Sequence, residues 1–285
     1  MRVRPTSSIS TMSIVFLVSL ACWQASAPAA AGALSPADPL DVGFRHMYNL
    51  KFREAHDTFR SWERSHPNDP LGPTSDAAAY LFDEFDRLGV LQSELFADDR
   101  RFERREKVIS DPAIREGFER ALARSDTLAD ALLARSPNDQ TALFAKVLNQ
   151  GLRADYLALI DGRDLASLGR VKRAGVLAQQ LLAADPQRYD AYLALGVENY
   201  LLSLKPAPVR WVLHFYGVET NKERGIKDLE VTAEKGHYLQ PYARMLLAVA
   251  AIRDHQRDRA RALLQGLAQE FPENYLYRRE LARLE

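Results

Sequence analysis

Four similar short segments recur in this sequence, and in each of them a proline follows a long apolar stretch. They are Ser65-His66-Pro67-Asn68-Asp69, Arg135-Ser136-Pro137-Asn138-Asp139, Ala184-Asp185-Pro186-Gln187 and Glu270-Phe271-Pro272-Glu273-Asn274. Proline cannot continue a helix, because it lacks a backbone N–H and its ring clashes with the preceding turn. Each phrase therefore predicts the end of one helix and the start of the next. The chain is expected to consist of repeated helix pairs.

Small residues recur at fixed distances before two of these prolines. One spacing of 12, 4 and 8 residues separates Gly43, Ala55, Phe59 and Pro67, and again Ala248, Ala260, Leu264 and Pro272. The small residues let the two helices of a pair approach closely, and the large apolar residue fills the groove beside them. This pattern resembles the tetratricopeptide repeat (TPR) family. The resemblance implies a TPR-like α-α superhelix, a right-handed helical-repeat solenoid whose first helices line a concave groove.

Between these two units the repeat is stretched. Tyr192, Leu195 and Gly196 match the first helix of a further repeat, whose second helix resumes only at Gly225 and Leu229. Relative to the regular spacing, 17 residues are inserted. Insertions in repeat arrays usually lie on one face, which is often the binding face.

The C-terminal third of the chain also resembles a more particular group. The phrase from Gly196 to Pro206, the phrase Asn221-Lys222-Glu223-Arg224-Gly225 and the helix containing Leu229 and Ala233 are similar to the inclusion-body-clearance family of TPR proteins. This resemblance implies the same fold and an adaptor-like role. It brings no catalytic residues with it.

Helical periodicity runs through nearly the whole chain, and no segment alternates as a strand does. The predicted helices lie near 38–49, 52–65, 75–92, 112–135, 139–159, 163–184, 187–203, 207–216, 220–235, 240–254, 257–270 and 274–284. We therefore expect a single all-α domain over residues 34–285. It would contain about five helix pairs, inserted helices and a C-terminal capping helix.

Residues 1–33 have the pattern of a secretory signal peptide. Arg2 and Arg4 precede eleven apolar residues at 12–22, and a small-residue stretch follows at 25–33. Eleven apolar residues are too few to span a bilayer. The mature chain is thus expected to be exported, most simply to the periplasm, without a transmembrane helix. In an alternative interpretation Cys22, the single cysteine, is the acylated first residue of a lipid-anchored protein.

Two groups of residues are candidates for contact with a ligand or partner. By template position the groove residues are Phe44, Met47, Tyr48, Leu193, Val197, Tyr200, Tyr242, Leu246 and Val249. The inserted helix 207–216 adds Trp211, Phe215 and Tyr216, and it could act as a lid, a docking face or a membrane-surface contact. Both groups have an alternative interpretation as core residues, the first if the superhelix is tightly wound or plugged by helix 207–216.

The charge balance gives no sign of a polyanionic partner. The 38 Lys and Arg residues equal the 38 Asp and Glu residues in number, and acidic residues interleave with the five basic ones near 98–107. That stretch is expected to be a solvated, ion-paired surface, so no nucleic acid partner is predicted.

No catalytic or cofactor-binding pattern stands out. The six histidines lack metal-ligand spacing and are expected at the surface or in the groove. The adjacent acids Asp83, Glu84 and Asp86 could form an acid–base pair, but neighbours on one helix point in different directions, which favours a solvated face. The prediction is that the protein is not an enzyme and holds neither metal nor cofactor.

The sequence therefore predicts an exported, non-catalytic TPR scaffold that binds a protein or peptide partner through its concave groove. An alternative is a periplasmic carrier of a lipid or other apolar small molecule, with helix 207–216 as the lid. A hydrolase that uses paired carboxylates is a third, weaker interpretation.

Overall fold

The predicted helices reappear, with few exceptions, in the computed structural model, which describes residues 38–90, 108–204 and 221–285. Within these residues it contains α-helices, one short 3₁₀ turn at Tyr189–Ala191 and no strand, which confirms the all-α prediction. The helices are α1 Pro39–Tyr48, α2 Phe52–Ser65, α3 Leu71–Leu88, α4 Pro112–Arg135, α5 Gln140–Leu159, α6 Asp164–Ala184, α7 Tyr192–Ser203, α8 Lys222–Lys235, α9 Gln240–Arg253, α10 Arg257–Glu270 and α11 Tyr275–Arg283. The predicted signal peptide, the basic stretch near 98–107 and the predicted helix 207–216 lie outside the described residues.

Short polar side chains cap the N-termini of several helices. The carboxylate of Asp111 accepts hydrogen bonds from the backbone N–H groups of Ala113, at 2.8 Å, and Ile114, at 3.2 Å. Pro112 occupies the first helical position, where its missing N–H is not needed. Asp38, Asp139 and Asn274 cap α1, α5 and α11 in the same way. These caps explain why sequence signals located the helix starts well.

Helix α3 differs from its predicted bounds of 75–92 at both ends. It begins at Leu71, because Pro73 lies in the first turn, where a backbone N–H has no helical partner. It ends at Leu88, because Gly89 adopts a left-handed conformation with φ 65°. The N–H groups of Gly89 and Val90 then bond back to the carbonyls of Asp86 and Phe85, both at 3.1 Å.

Consecutive helices pack against one another along the chain, and small residues set the distance between them. A Cβ atom on Gly43 of α1 would lie 2.2 Å from Cε1 of Phe59 on α2. Phe59 and Ala55 are fully buried in this contact. The residues that carried the regular spacing in the sequence are thus the contact residues of the helix pair.

The two halves of the stretched repeat also meet. A Cβ on Gly196 of α7 would lie 2.8 Å from Cγ of Leu229 on α8, and a Cβ on Gly225 would lie 2.7 Å from the backbone N of Tyr200. Only glycine lets the two backbones come this close. Helices α7 and α8 therefore form a close pair, although 17 extra residues separate them in the sequence.

The first helix is held by the C-terminal part of the domain. The Tyr48 hydroxyl donates a 3.0 Å hydrogen bond to the carbonyl of Tyr238, in the α8–α9 loop. The Asn274 amide donates a 2.9 Å bond to the carbonyl of Tyr48, and Lys51 pairs with Glu273 at 2.7 Å. Loops before α9 and α11 thus cover one side of α1.

A buried carboxylate supports the α8–α9 loop. Asp190 accepts hydrogen bonds from three successive backbone N–H groups, those of His237, Tyr238 and Leu239, at 2.9 to 3.1 Å. Burial raises the pKa of Asp190, and these three bonds lower it. Asp190 therefore fixes the loop against which α1 packs.

Candidate functional site

Four of the predicted groove residues lie in the hydrophobic core instead. They are Phe44, Met47, Tyr48 and Tyr200, all less than a tenth exposed. The first three are covered by the loops that hold α1, where the ring of Phe44 stacks on that of Tyr238 with centroids 4.8 Å apart. Tyr200 is buried because α8 approaches its backbone at Gly225. These four side chains are therefore not accessible to a partner.

The other described groove residues keep part of their surface accessible. These residues are Leu193, Val197, Tyr242, Leu246 and Val249. Trp211, Phe215 and Tyr216 lie outside the described residues. The accessible inner surface thus belongs to α7 and α9 and, as the structure adds, to α5.

A side-chain hydrogen bond joins one face of α5 to one face of α9. Leu148, Leu152 and Asp155 follow one another on α5 at intervals of four and three residues. On α9 the corresponding face carries Tyr242, Leu246 and Val249. The Tyr242 hydroxyl donates a hydrogen bond to Oδ2 of Asp155 at 2.9 Å, so these two faces meet through side chains. We call these six partly accessible residues the central cleft.

The central cleft is apolar apart from this hydrogen-bonded pair. Leu148, Leu152 and Tyr242 pack against the main hydrophobic core. The ring of Phe82 on α3 meets the ring of Tyr242 edge to face, with centroids 5.6 Å apart. Apolar walls around one or two polar groups are typical of ligand-binding sites.

Asp155 is the unusual group of the central cleft. Burial raises the pKa of its carboxyl from 3.8 to about 6, while the hydrogen bond from Tyr242 lowers it. Across residues 38–90, 108–204 and 221–285, no Lys, Arg or His lies within ion-pair distance of Asp155. The carboxylate is therefore held in a deep site without a compensating positive charge.

Sequence reasoning missed Asp155 because only the hydrophobic and aromatic groove positions were considered. A signal was present: an acidic residue that continues the apolar face formed by Leu148 and Leu152 and precedes Leu159. A charge at such a position is buried when the helix packs, and buried charges need a partner.

A second polar cluster joins α2 to α3. Nδ1 of His56 lies 2.5 Å from Oδ1 of Asp76, and Arg60 approaches the same oxygen at 3.6 Å. Arg60 also donates to the Tyr80 hydroxyl at 2.7 Å. His56 is buried, so the prediction that the histidines lie at the surface or in the groove is wrong for this one. The Asp76 carboxylate is hydrogen-bonded to the imidazole of His56 between the two helices.

The His56–Asp76 pair has the geometry of an oriented base but no group to activate. Among the residues that the structure describes, His56 hydrogen-bonds to no serine or threonine hydroxyl. Nor do three or more His, Asp or Glu side chains of those residues converge as metal ligands. We interpret the pair as a structural contact between α2 and α3.

Three acidic residues of α3, Asp83, Glu84 and Asp86, lie in three different environments. Glu84 is fully buried, where Arg87 binds both of its oxygens at 2.7 and 2.9 Å, so the expected solvated face is wrong for this residue. Asp86 accepts a 2.7 Å hydrogen bond from the Tyr275 hydroxyl, near the surface. Burial raises the pKa of Asp83. No two of these carboxylates share a site, so they do not form an acid–base pair.

A shallow surface groove runs between α5 and α6. It has a volume of about 510 Å³ and is lined by Gln150, Ala166, Gly169, Arg170 and Arg173. Arg170 donates a 3.1 Å hydrogen bond to Gln150 across it. Its width follows from Gly169, whose missing side chain leaves open space.

Comparisons of the chain with protein-family models, with curated proteins and with solved structures find no match. Of the helices that the structure describes, none is both long and apolar enough to cross a membrane. The chemistry of the central cleft is therefore the main guide to function.

Proposed function

We propose that this protein is an exported, non-catalytic, TPR-like repeat protein that binds an extended segment of a partner protein in the central cleft. One observation carries the proposal. Apolar side chains of α5 and α9, about 90 residues apart in the sequence, remain partly accessible around one hydrogen-bonded polar pair. A binding site needs such an apolar surface with a small number of oriented polar groups.

The order of helix packing supports the TPR-like part of the proposal. Helices α1 and α2, α3 and α4, α5 and α6, α7 and α8, and α9 and α10 pack as successive pairs, and α11 packs on α10. The odd-numbered helices α1, α3 and α5 also pack on one another in turn. In a solenoid of helix pairs, first helices stack in this way and form the inner surface.

A specific observation also favours the alternative, a carrier of an apolar small molecule. The loops that hold α1 close the first-repeat end of the inner surface, so the accessible part is shorter than a groove along all repeats would be. A short apolar site fits a small ligand as well as a short peptide segment.

Site-specific photo-crosslinking separates these functions. We would place p-benzoylphenylalanine at Leu246 in the central cleft and, as a matched control, at the exposed Gln179 on the outer side of α6. A partner protein held in the cleft gives a discrete adduct in the envelope fraction from Leu246 and none from Gln179. Native mass spectrometry of the purified chain detects a small ligand as an added mass.

The outcomes point in different directions. An adduct specific to Leu246 supports the scaffold, and an added mass of lipid size without a protein adduct supports the carrier. Equal adducts from both positions, or neither adduct nor added mass, contradict binding in the cleft. Export is tested separately by fusing residues 1–33 to alkaline phosphatase, which is active only outside the cytoplasm.

A further inference from the structure

We propose that Asp155 recognises a cationic group, the ammonium or guanidinium of a Lys or Arg side chain, on an otherwise apolar segment of the partner. This inference rests on the proposed function and names the chemistry that the central cleft selects. Three features support the proposal: the hydrogen bonding of Asp155, the ion pairs of the nearby cations and the aromatic ring of Tyr242.

The Asp155 carboxylate has unused capacity to accept hydrogen bonds. A carboxylate offers about four lone-pair sites on two oxygens. Oδ2 receives the Tyr242 hydroxyl at 2.9 Å, and among the described residues no donor bonds to Oδ1. Asp155 also keeps part of its surface accessible. A donor that enters the central cleft can therefore reach the carboxylate.

Three of the four cations on α5 and α9 are engaged elsewhere. On α5, Lys146 and Arg153 pair with Asp126 of α4, at 3.2 and 2.7 Å. On α9, Arg244 pairs with Glu270 of α10 at 2.5 Å. These contacts direct three positive charges away from Asp155. Among the described residues no Lys, Arg or His pairs with this carboxylate, so an entering cation would be its first ionic partner.

The surroundings of Asp155 favour the binding of a cation over that of other groups. A partly buried carboxylate without a positively charged partner is unfavourable, and an entering ammonium or guanidinium supplies both charge and donors. Tyr242, which bonds to Asp155, also packs its ring against that of Phe82, and aromatic faces attract cations. A carboxylate or phosphate ligand would instead be repelled by Asp155. The site therefore excludes fatty acids and favours basic groups.

The apolar walls determine what the cation is attached to. Leu148 and Leu152 lie two turns and one turn before Asp155 on α5, respectively, and Leu246 lies one turn after Tyr242 on α9. A lone inorganic cation or a hydrophilic amine would leave these side chains without contacts. An apolar chain with a basic group in its middle contacts both the walls and the carboxylate.

Peptide pairs that differ in one side chain test the proposal. The probes are acetyl-Leu-Ala-Lys-Ala-Leu-amide, its norleucine analogue, n-octylammonium and octanoate, titrated by calorimetry at pH 7.5 into the full mature chain. We expect the lysine peptide to bind at least tenfold more tightly than the norleucine peptide. Asp155→Asn should reduce this preference to less than twofold, because Asn keeps the shape and accepts the Tyr242 hydrogen bond but lacks the charge.

A control variant corrects for net charge. Asp57 is exposed on α2, and Asp57→Asn removes the same charge far along the chain from the cleft helices. It should leave the tenfold preference unchanged. Circular dichroism of each variant verifies that the helices are intact.

Each outcome decides one part of the inference. Equal binding of both peptides to the wild-type chain overturns recognition by Asp155 and leaves the proposed function standing. Binding of n-octylammonium with rejection of octanoate, but no binding of either peptide, supports the cation site and overturns its peptide source. Absence of binding by every probe overturns the inference, whereas the photo-crosslinking result decides the proposed function.

Discussion

The hydroxyl of Tyr48 on α1 donates a hydrogen bond to the backbone carbonyl of Tyr238, 190 residues further along the chain. Both tyrosines are buried, and the contact lies just before the start of α9. It joins the first helix to the loop that Asp190 fixes. The helical domain is therefore stabilised by contacts between distant parts of the chain as well as by contacts between successive helices. Solenoids that lack such contacts depend on neighbour contacts alone.

Tyr48→Phe removes this hydrogen bond and leaves the Tyr238 carbonyl without its buried donor. We expect the free energy of unfolding to fall by about 1 to 2 kcal/mol, the usual consequence of an unsatisfied buried group. Urea denaturation followed by circular dichroism measures this loss. The matched control is Tyr275→Phe, which removes a tyrosine hydrogen bond to Asp86 near the surface and should change stability much less. Equal effects of the two variants would contradict the role given to the contact between the ends.

Gly225→Ala tests the close pairing of α7 and α8. The added Cβ would lie 2.7 Å from the backbone N of Tyr200, so the helices must move apart, and we expect a loss of about 1 to 3 kcal/mol. The control is Gly169→Ala on the exposed side of α6, where a Cβ meets no atom within 4 Å. That change should raise stability by up to about 1 kcal/mol, since Ala is the better helix former. Thermal unfolding of both variants checks the opposite signs.

The sequence predicted most of the fold because its signals are local. Proline junctions and capping residues such as Asp111 act within one turn of the helix that they begin, so they can be read from neighbouring residues. Small residues such as Gly43 were informative because close helix packing requires them. The end of α3 was missed because the apolar pattern continues past Gly89 through Val90 and Leu91, although a glycine often ends a helix.

The candidate site was predicted less well because it depends on contacts between distant parts of the chain. Template positions placed Phe44 and Tyr48 in the groove, but covering them requires the loops at Tyr238 and Asn274, about 200 residues away. Tyr242, predicted as a groove residue, keeps part of its surface accessible. Its partner Asp155 was not predicted, because the local pattern shows a charge on an apolar face but not the residue, 87 positions away, that hydrogen-bonds to it.

A buried polar network between α3, α4 and α5 gives a third prediction. Thr74, Ser125 and Asn149 hydrogen-bond to one another at 2.7 to 3.0 Å, and all three are almost completely buried. Asn149→Ala leaves two hydroxyls incompletely satisfied and opens a small cavity. We expect a loss of about 2 to 4 kcal/mol in the free energy of unfolding.

The control for this network is Thr127→Ala on the exposed part of α4, where the hydroxyl bonds only to the helix carbonyl of Ala123. It should change stability by less than about 0.5 kcal/mol. Chemical denaturation of both variants provides the measurement. A loss below 1 kcal/mol for Asn149→Ala would indicate that water replaces the missing amide, and the network would then not determine stability.

The raised pKa of Asp155 predicts a particular pH dependence of stability. In the unfolded chain this carboxyl titrates near 3.8, and in the folded protein at about 6. Between these values the folded state binds more protons, so the contribution of Asp155 to stability is fully present below pH 3.8 and is lost as the pH rises through 6. The total loss is about 3 kcal/mol. Asp155→Asn lacks this titration, so the stability of the wild-type chain should fall relative to the variant between pH 4 and 7.

The measurement is the difference in unfolding free energy between the wild-type chain and Asp155→Asn at several pH values, because titration of all other groups cancels in that difference. Asp57→Asn provides the baseline for loss of an exposed charge. A difference that does not change with pH would show that Asp155 is solvated or neutralised in the folded protein. If a lysine peptide binds as proposed, adding it at pH 7 should restore part of the lost stability to the wild-type chain and none to Asp155→Asn, because only the wild-type carboxylate gains a partner.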